Sequence, residues 1–255
     1  TMGATVLKLG EDQVIYFDAE TISDKYTPDN ERLLSELLEL LMSVIFFFFF
    51  SDGRCDKLII EQEKKDAINR IDAFVNDKRQ YASNRCQAET ARGTNYALLR
   101  LGDRETIKNI TEKELFDYYK SVITSSVIDI YICGTANFDE AEEVITSFIK
   151  DYDFIDSEVP KTEILSREIK EINNVCERMD VTQGKLSLGF LTGISPTSQE
   201  FPALVVFNSI FGAGAHSKLF NNVREKLSLA YYASSSIEKY KGMLVVNAGI
   251  EFENY

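Results

Sequence analysis

Histidine is nearly absent from this 255-residue sequence, and His216 is its single representative. A zinc site with two histidine ligands therefore cannot be built from this chain. A Ser-His-Asp triad or a Cys-His pair would have to use that same residue. Because His216 lies in a glycine-rich turn, we interpret it as a turn residue and not as a ligand.

Cysteine is also scarce, and no two cysteines have the C-x-x-C spacing. That absence excludes a zinc ribbon and a redox motif of that type. So few cysteines in a chain of this length favour reduced thiols over a disulfide framework. No secretory signal opens the sequence, and the expected location is cytoplasmic. The four cysteines are Cys55, Cys86, Cys133 and Cys176.

Basic residues are in deficit, with 28 Lys and Arg against 41 Asp and Glu and a net charge of −13. A nucleic-acid-binding protein needs a basic face, so we predict no nucleic-acid partner. Long apolar runs are missing too. The run Leu40–Phe50 falls short of the roughly 20 residues of a membrane helix, and we predict no membrane partner. Phe46–Phe50 has no periodicity, and we give it no role.

What the sequence does contain is 44% hydrophobic residues, enough for a packed core. Helical spacing predicts helices over residues 28–45, 57–90, 139–150, 201–211 and 217–226, and a capping-box spacing opens another at Thr111. Asn76-Asp77 is a possible break within 57–90. Strand patterns cover Val14–Phe17, Val127–Cys133, Lys185–Phe190, Leu229–Ile237 and Met243–Glu251.

The order of these elements predicts an α+β fold of two similar domains, each a mainly antiparallel sheet packed with helices. The first domain covers 1–155, a charged linker covers 156–180, and the second domain covers 181–255. Both domains are expected to be incomplete, the first at its N-terminus and the second at its C-terminus. A sheet cut at either end would expose an edge, so we expect this chain to be an internal piece of a longer protein.

The most specific stretch runs from Phe211 to Tyr231 and consists of a glycine turn, a short helix and the entry to a strand. A glycine-rich loop ahead of a helix can bind phosphate. Here the loop follows a helix and lacks the Gly-Lys-Ser/Thr ending, so we do not predict a phosphate site. Gly134 follows a predicted strand, but a dinucleotide fingerprint needs three glycines.

This stretch resembles the second-domain signature of the pitrilysin, insulysin and mitochondrial processing peptidase family, the inverzincins. The match consists of Gly212, Gly214, Ser217–Phe220, Arg224-Glu225 and Leu229–Tyr231. Further similarity lies at Glu61–Lys64, Gly134 and Gln183–Leu186, and the resemblance spans about residues 12–255. Leu115–Gly134 and Gly212–Tyr231 are most similar to bacterial processing-peptidase-like proteins, especially to non-catalytic partner subunits. The resemblance implies a LuxS/processing-peptidase-like α+β fold.

In this family an H-x-x-E-H motif and a later Glu bind a catalytic zinc ion. The sequence contains no H-x-x-E-H. Our alignment places Tyr26 at the third ligand position, with Glu20 and Glu31 out of register. A phenol is a poor zinc ligand. We therefore assign no catalytic and no metal residues to this chain. Zinc is expected in a catalytic partner or in the full-length family member.

The resemblance implies that Arg224 and Tyr231 bind substrate, positioned by the glycine turn of Gly212, Gly214 and Ser217. A guanidinium can donate hydrogen bonds to a peptide carbonyl. A phenol can donate to the oxygen that becomes negative during peptide cleavage. A chain with this pair and no zinc ligands corresponds to a non-catalytic subunit that helps a homologous catalytic subunit, or a second copy of itself, to bind peptide.

Two alternatives stay open. The protein is an active zinc metalloendopeptidase if its H-x-x-E-H motif lies outside this chain. It is a non-enzymatic peptide-binding or scaffold protein if it has kept the fold and lost the catalytic activity. We therefore leave open whether it is an enzyme. The acidic charge would favour basic peptides, or it is only a solubilising surface.

Overall fold

A computed structural model describes residues 1–27, 31–46, 50–51, 54–158 and 163–254. The fold is α+β with antiparallel pairing, as the sequence predicts. The helices are α1 Leu33–Phe46, α2 Lys57–Asn76, α3 Lys78–Thr90, α4 Arg104–Asn109, α5 Glu112–Ser125, α6 Phe138–Ile149, α7 Phe201–Phe211 and α8 Leu219–Lys226. The strands are β1 Met2–Leu9, β2 Asp12–Ala19, β3 Phe50–Ser51, β4 Arg54–Cys55, β5 Gly184–Leu191, β6 Ala230–Glu238 and β7 Met243–Ile250.

The chain divides into two compact units that are interleaved in sequence. The first comprises residues 1–7, 14–68 and 104–160, and the second comprises 8–13, 69–103 and 161–255. A packing unit is not the same as an independently folding domain, so the domain bounds 1–155, 156–180 and 181–255 stay a prediction.

In the first unit, α1 packs against α6. Ser35 on α1 is buried and donates a hydrogen bond to the Glu140 carboxylate on α6, at 2.5 Å. Ala141 beside it is almost fully buried, which lets the two helices approach closely. The helix pair therefore combines apolar packing with a partly buried polar contact.

In the second unit, a three-stranded antiparallel sheet has the order β5-β7-β6. β7 is the central strand, and it is buried along nearly its whole length because both of its edges are paired. The helix α3 packs on β5 so closely that a Cβ on Gly189 would lie 2.0 Å from Thr90 Oγ1. Asn247 of β7 donates to Ser83 of α3 at 3.2 Å and accepts from Ser187 of β5 at 2.6 Å.

Local sequence signals for helix ends are confirmed. Thr111 and Glu114 form the predicted capping box at the start of α5. The predicted break in the long charged helix separates α2 from α3, and the Asp77 side chain caps α3 by accepting from Gln80 N at 3.0 Å. The predicted bounds of the helix 201–211 coincide with α7.

Two predictions about strands are wrong. Val127–Cys133 is not a strand in the structure, although its composition favours one. Several of its apolar side chains are exposed, and no strand within the described residues pairs with it. A strand exists only through its pairing, which composition cannot supply. Conversely, β1 precedes Val14–Phe17 and pairs with β2, which contains those residues, although no strand pattern was identified before Val14.

Some predictions fall outside the described residues. The proposed helix start at Pro28 and most of Phe46–Phe50 lie there, so only the α1 end at Phe46 and the β3 start at Phe50 are described. No helix in the described ranges is long and apolar enough to cross a bilayer.

Candidate functional site

The glycine turn after α7 is held against β6 by backbone hydrogen bonds. Gly212 N donates to Asn208 O at 2.9 Å, and Gly212 O accepts from Ser235 N, also at 2.9 Å. The Ser235 hydroxyl donates to Asn208 Oδ1 at 2.6 Å. A Cβ at position 212 would lie 2.4 Å from Ser235 Oγ, so the turn requires glycine here.

Ser217 fixes the start of α8. It is fully buried, its backbone N–H donates to Gly214 O at 3.0 Å, and its hydroxyl accepts from Phe220 N at 3.3 Å. A serine oxygen that accepts from a first-turn N–H is the usual cap of a helix. The His216 ring lies near Gly214, and its backbone carbonyl accepts from Asn221 Nδ2 at 3.0 Å. The interpretation of His216 as a turn residue stays a prediction.

Arg224 lies on α8, whose hydrogen bonds follow the wider π-helical pattern. Helical segments of this kind occur frequently at functional sites. The guanidinium lies 4.6 Å from the centre of the Phe220 ring one turn earlier, and its Nε lies 3.6 Å from a Glu225 carboxylate oxygen. A guanidinium over an aromatic face gains a cation–π attraction, which here limits the directions in which Arg224 can point.

Arg224 and the glycine turn line one open cavity of about 210 Å³. The structure therefore brings together three of the predicted residues, Arg224, Gly212 and Gly214. Ser217 does not line the cavity, but it is hydrogen-bonded to Gly214 and Phe220, which do. The lining consists of Gly212, Ala213, Gly214, Phe220, Arg224, Tyr232, Ala233 and Ser234.

Tyr231 is not among the residues that line this cavity; its neighbour Tyr232 is. A β-bulge lies between Ala230 and Tyr232, so Tyr231 is the extra residue of β6 and has no register partner on β7. Ser228, just ahead of the strand, has a φ of 52°, a strained value for a residue with a side chain. Bulges change the direction of the side chains around them.

The Tyr231 side chain is 54% exposed, and its hydroxyl donates a hydrogen bond to the Glu251 carboxylate. This hydrogen bond, with the negative charge of Glu251, raises the pKa of Tyr231. The phenol is therefore a neutral hydrogen-bond donor whose proton is already engaged. A substrate oxygen would have to displace Glu251 to receive it.

Cations surround the ring of Tyr232 within the second unit. Arg79 lies 4.1 Å and Lys185 lies 5.9 Å from the ring centre, with the ring packed over Gly249, whose added Cβ would lie 2.5 Å from Tyr232 Cε1. Burial raises the pKa of Tyr232. Arg79 and Lys185 thus bring positive charge to the Tyr232 ring, while the Asp77 carboxylate acts on the same phenol.

Sequence reasoning missed Tyr232 and Glu251, and it named Phe220 only as part of a motif. The signal for Phe220 was available, since an aromatic residue four positions before an arginine on a helix lies beneath it. No sequence signal pointed to Tyr232 in preference to Tyr231, because the bulge depends on the pairing of β6 with β7.

The residues that the resemblance brings to the zinc position do not form a metal site. Tyr26 is 71% exposed, and the cationic Lys25 ammonium lies 4.8 Å from its ring centre. Within the described ranges, no three His, Cys, Asp or Glu residues lie close enough together to hold a metal ion. The donor set does not fit zinc, and we derive no step through one.

Comparison with known proteins gives the family. Residues 109–255 match the family model described as "Peptidase M16 inactive domain". The chain is 35% identical to a Bacillus subtilis (strain 168) protein named probable inactive metalloprotease YmfF, over the whole chain and 59% of that protein. It is 24% identical to uncharacterized zinc protease YmxG of the same organism, over 89% of the chain and 54% of that protein.

A solved structure agrees with these relatives. A crystal structure described as a conserved protein from Enterococcus faecalis V583 superposes with a TM-score of 0.86 at 32% identity, over the whole chain and 59% of the other. The chain therefore spans little more than half the length of the relatives that it matches. The family match confirms the resemblance that the glycine turn and its flanking residues indicated. This chain is a metallopeptidase homologue and belongs to the family of the peptidase M16 inactive domain.

Proposed function

We propose that this chain is part of a non-catalytic, processing-peptidase-like subunit that binds peptide substrate for a homologous catalytic partner or for a second copy of itself. The observation that supports the proposal best is the placement of Arg224 in an open cavity beside the glycine turn. The match to an inactive domain supports the non-catalytic part. Zinc is then supplied by the partner, and the expected location is cytoplasmic.

The chemistry of the cavity suits a peptide backbone. The guanidinium of Arg224 donates charge-assisted hydrogen bonds to a peptide carbonyl. The turn lines the cavity with Gly212, Ala213 and Gly214, whose side chains are absent or small, so an extended segment can approach the main chain. Tyr231 does not line the cavity, and it contributes a second donor only when a substrate oxygen displaces Glu251 from its hydroxyl.

One alternative is favoured by a specific contact. Because the Tyr231 hydroxyl is already bound to Glu251, a protein that only binds peptides, as a scaffold, is the second candidate. The third, an active zinc metalloendopeptidase, requires an H-x-x-E-H motif outside this chain.

The first experiment uses the full-length protein as bait in a lysate of its source cell, with the captured proteins identified by mass spectrometry. A stoichiometric partner that carries H-x-x-E-H supports the proposal. Capture of no such partner, together with stoichiometric zinc in the bait, contradicts it in favour of the active peptidase. If the bait captures no such partner and contains no zinc, the result favours the scaffold.

The second experiment tests Arg224 in the assembled pair. Arg224→Ala should lower turnover of a fluorogenic peptide by about ten- to a hundredfold, since a hydrogen bond to a charged group contributes roughly 1.5–3 kcal/mol. Lys226→Ala is the matched control, because it removes a positive charge from the same helix and does not line the cavity. Assembly, measured by size-exclusion chromatography, should not change. Equal turnover in the two variants would remove Arg224 from substrate binding.

A further inference from the structure

A second cavity, of about 400 Å³, lies in the second unit away from the residues of the Arg224 cavity. Its size is within the range of small-molecule and side-chain pockets. It is formed by the end of α2, one face of α3, the segment 96–102 that follows, and one residue each from β1 and β6. None of these residues belongs to the proposed substrate site.

The walls of this cavity are largely apolar. Ile71 and Phe74 come from α2 and Ala88 from α3, while Leu98 and Leu99 lie on the connecting segment. Leu98 is 60% and Leu99 is 42% exposed. These two leucines keep much of their apolar surface in water, and burial of that surface against an apolar partner would be favourable.

Three carboxamides add polar groups to the same cavity. Gln80, Asn84 and Gln87 follow one face of α3 at spacings of four and three residues. Gln87 Oε1 accepts from the Tyr96 hydroxyl at 3.0 Å, and Asn84 Nδ2 donates to Gln80 O at 3.0 Å. Within the described residues, the Gln87 amide nitrogen and both side-chain groups of Gln80 are left to bind a ligand. They offer donors and an acceptor without charge.

The charged groups at this cavity are already engaged. Lys8 Nζ donates to the carbonyls of Tyr96 and Leu98, the latter at 2.7 Å, and lies 4.3 Å from the centre of the Tyr96 ring. Glu238 lies near Lys8 and Tyr96 and offsets the lysine charge. Arg100, the remaining lining cation, also has an interaction partner. The cavity therefore has no cation to spare for a phosphate or a carboxylate.

We propose that this cavity binds an uncharged, extended peptide segment that carries a large apolar side chain. The apolar walls and the exposed Leu98 and Leu99 contact the apolar side chain of the peptide. The Gln80 and Gln87 carboxamides bind the peptide groups on either side, each of which has one donor and one acceptor. A small neutral molecule with an apolar body and one amide shares this chemistry, and the experiment separates the two sources.

The test titrates purified full-length protein with N-acetyl-Leu-Phe-Leu-amide, with N-acetyl-Ser-Ser-Ser-amide as the polar control, by isothermal calorimetry. The apolar peptide should bind and the serine peptide should not. Ala88→Leu, which fills the cavity, should weaken binding at least tenfold. Ala73→Leu adds the same side chain at an exposed position of α2 outside the cavity and should leave the affinity unchanged.

A second variant keeps the test valid if Ala88→Leu disturbs folding. Gln80→Ala removes an exposed carboxamide and should weaken binding by about three- to tenfold, the usual effect of one neutral hydrogen bond. Absence of binding by the apolar peptide, or an unchanged affinity in both cavity variants, overturns the proposal. If N-acetyl-leucinamide binds with the same affinity as N-acetyl-Leu-Phe-Leu-amide, the peptide assignment is overturned in favour of a small neutral molecule.

Discussion

At the scale of single residues, Gly212 and Gly214 have different roles although they stand two positions apart. An added Cβ at Gly212 would collide with Ser235 Oγ and, at 2.7 Å, with both Ser235 N and Leu219 Cδ1. One of these atoms is backbone and cannot move away. At Gly214 the nearest atoms belong to the His216 ring, at 3.0 Å, and an exposed ring can rotate.

This difference gives a paired prediction. Gly212→Ala should lower the free energy of unfolding by about 1–3 kcal/mol, the usual cost of an overpacked site. Gly214→Ala should change it by much less. Urea denaturation of both variants measures the two values, and equal destabilisation would show that the turn does not depend on the contact between Gly212 and Ser235.

Also at this scale, the pair that the sequence suggested, Arg224 and Tyr231, is not the pair that shares the cavity. Arg224 and Tyr232 line it together, while Tyr231 is bound to Glu251. An alternating strand would place Tyr231 and Tyr232 on opposite faces in any case. Which of the two lies on the cavity side is decided by the bulge.

At the scale of elements, α1 and α6 are joined by a polar contact. Ser35 donates to the Glu140 carboxylate at 2.5 Å and Arg32 Nε donates to it at 2.7 Å. The hydrogen bond from Ser35 and then that from Arg32 hold the pKa of Glu140 below its usual value. A lowered pKa means that the ionised form of Glu140 stabilises the folded state.

The sign of this linkage predicts a dependence on pH. The stabilisation is complete above the unfolded pKa of about 4.3, and it is lost as the pH falls through the lower folded value. Glu140→Gln should therefore melt at a lower temperature than the native protein at pH 7. This difference in melting temperature should disappear in acid. Glu143→Gln is an exposed change on the same helix, and it should melt at the same temperature as the native protein. A Glu140→Gln difference of constant size across this pH range would contradict the prediction.

The segment Val127–Cys133 shows the limit of element-scale reasoning. Its residues favour a strand, yet Tyr131 is 84% exposed and the segment has no strand partner in the described ranges. Apolar composition predicts what a segment would do inside a sheet. It does not determine whether a neighbouring strand is present.

At the scale of the whole molecule, two electrostatic effects have opposite signs. The net charge of −13 attracts basic peptides from a distance. Close to the cavity, the cations Arg224, Arg79 and Lys185 attract peptide oxygens over a short range, although the Glu225 carboxylate lies 3.6 Å from Arg224 Nε. Salt distinguishes the two, since long-range attraction is screened beyond about 10 Å at 0.1 M ionic strength.

We therefore expect the association rate of a basic peptide with the full-length protein to fall as NaCl rises from about 0.05 to 0.5 M. An uncharged peptide of the same length should associate at a rate that hardly changes. Stopped-flow fluorescence measures both. A rate for the basic peptide that does not vary with salt would mean that the acidic charge serves only solubility.

Local sequence patterns predicted much of the fold. Three predicted features depend on contacts within a few residues. They are the capping box at Thr111, the break at Asn76-Asp77 between α2 and α3, and the bounds of α7. The motif from Gly212 to Tyr231 indicated the family because its residues resemble the family signature, and the buried Ser217 within it bonds to near neighbours along the chain.

Tertiary structure decided the rest. Which tyrosine lies beside Arg224 follows from the bulge in β6, and the binding of Tyr231 to Glu251 follows from the pairing of β6 with β7. The carboxamide-lined cavity joins residues from β1 to β6, far apart in sequence. Sequence thus determined what depends on near neighbours along the chain, while packing across the sheet determined which side chains share a site.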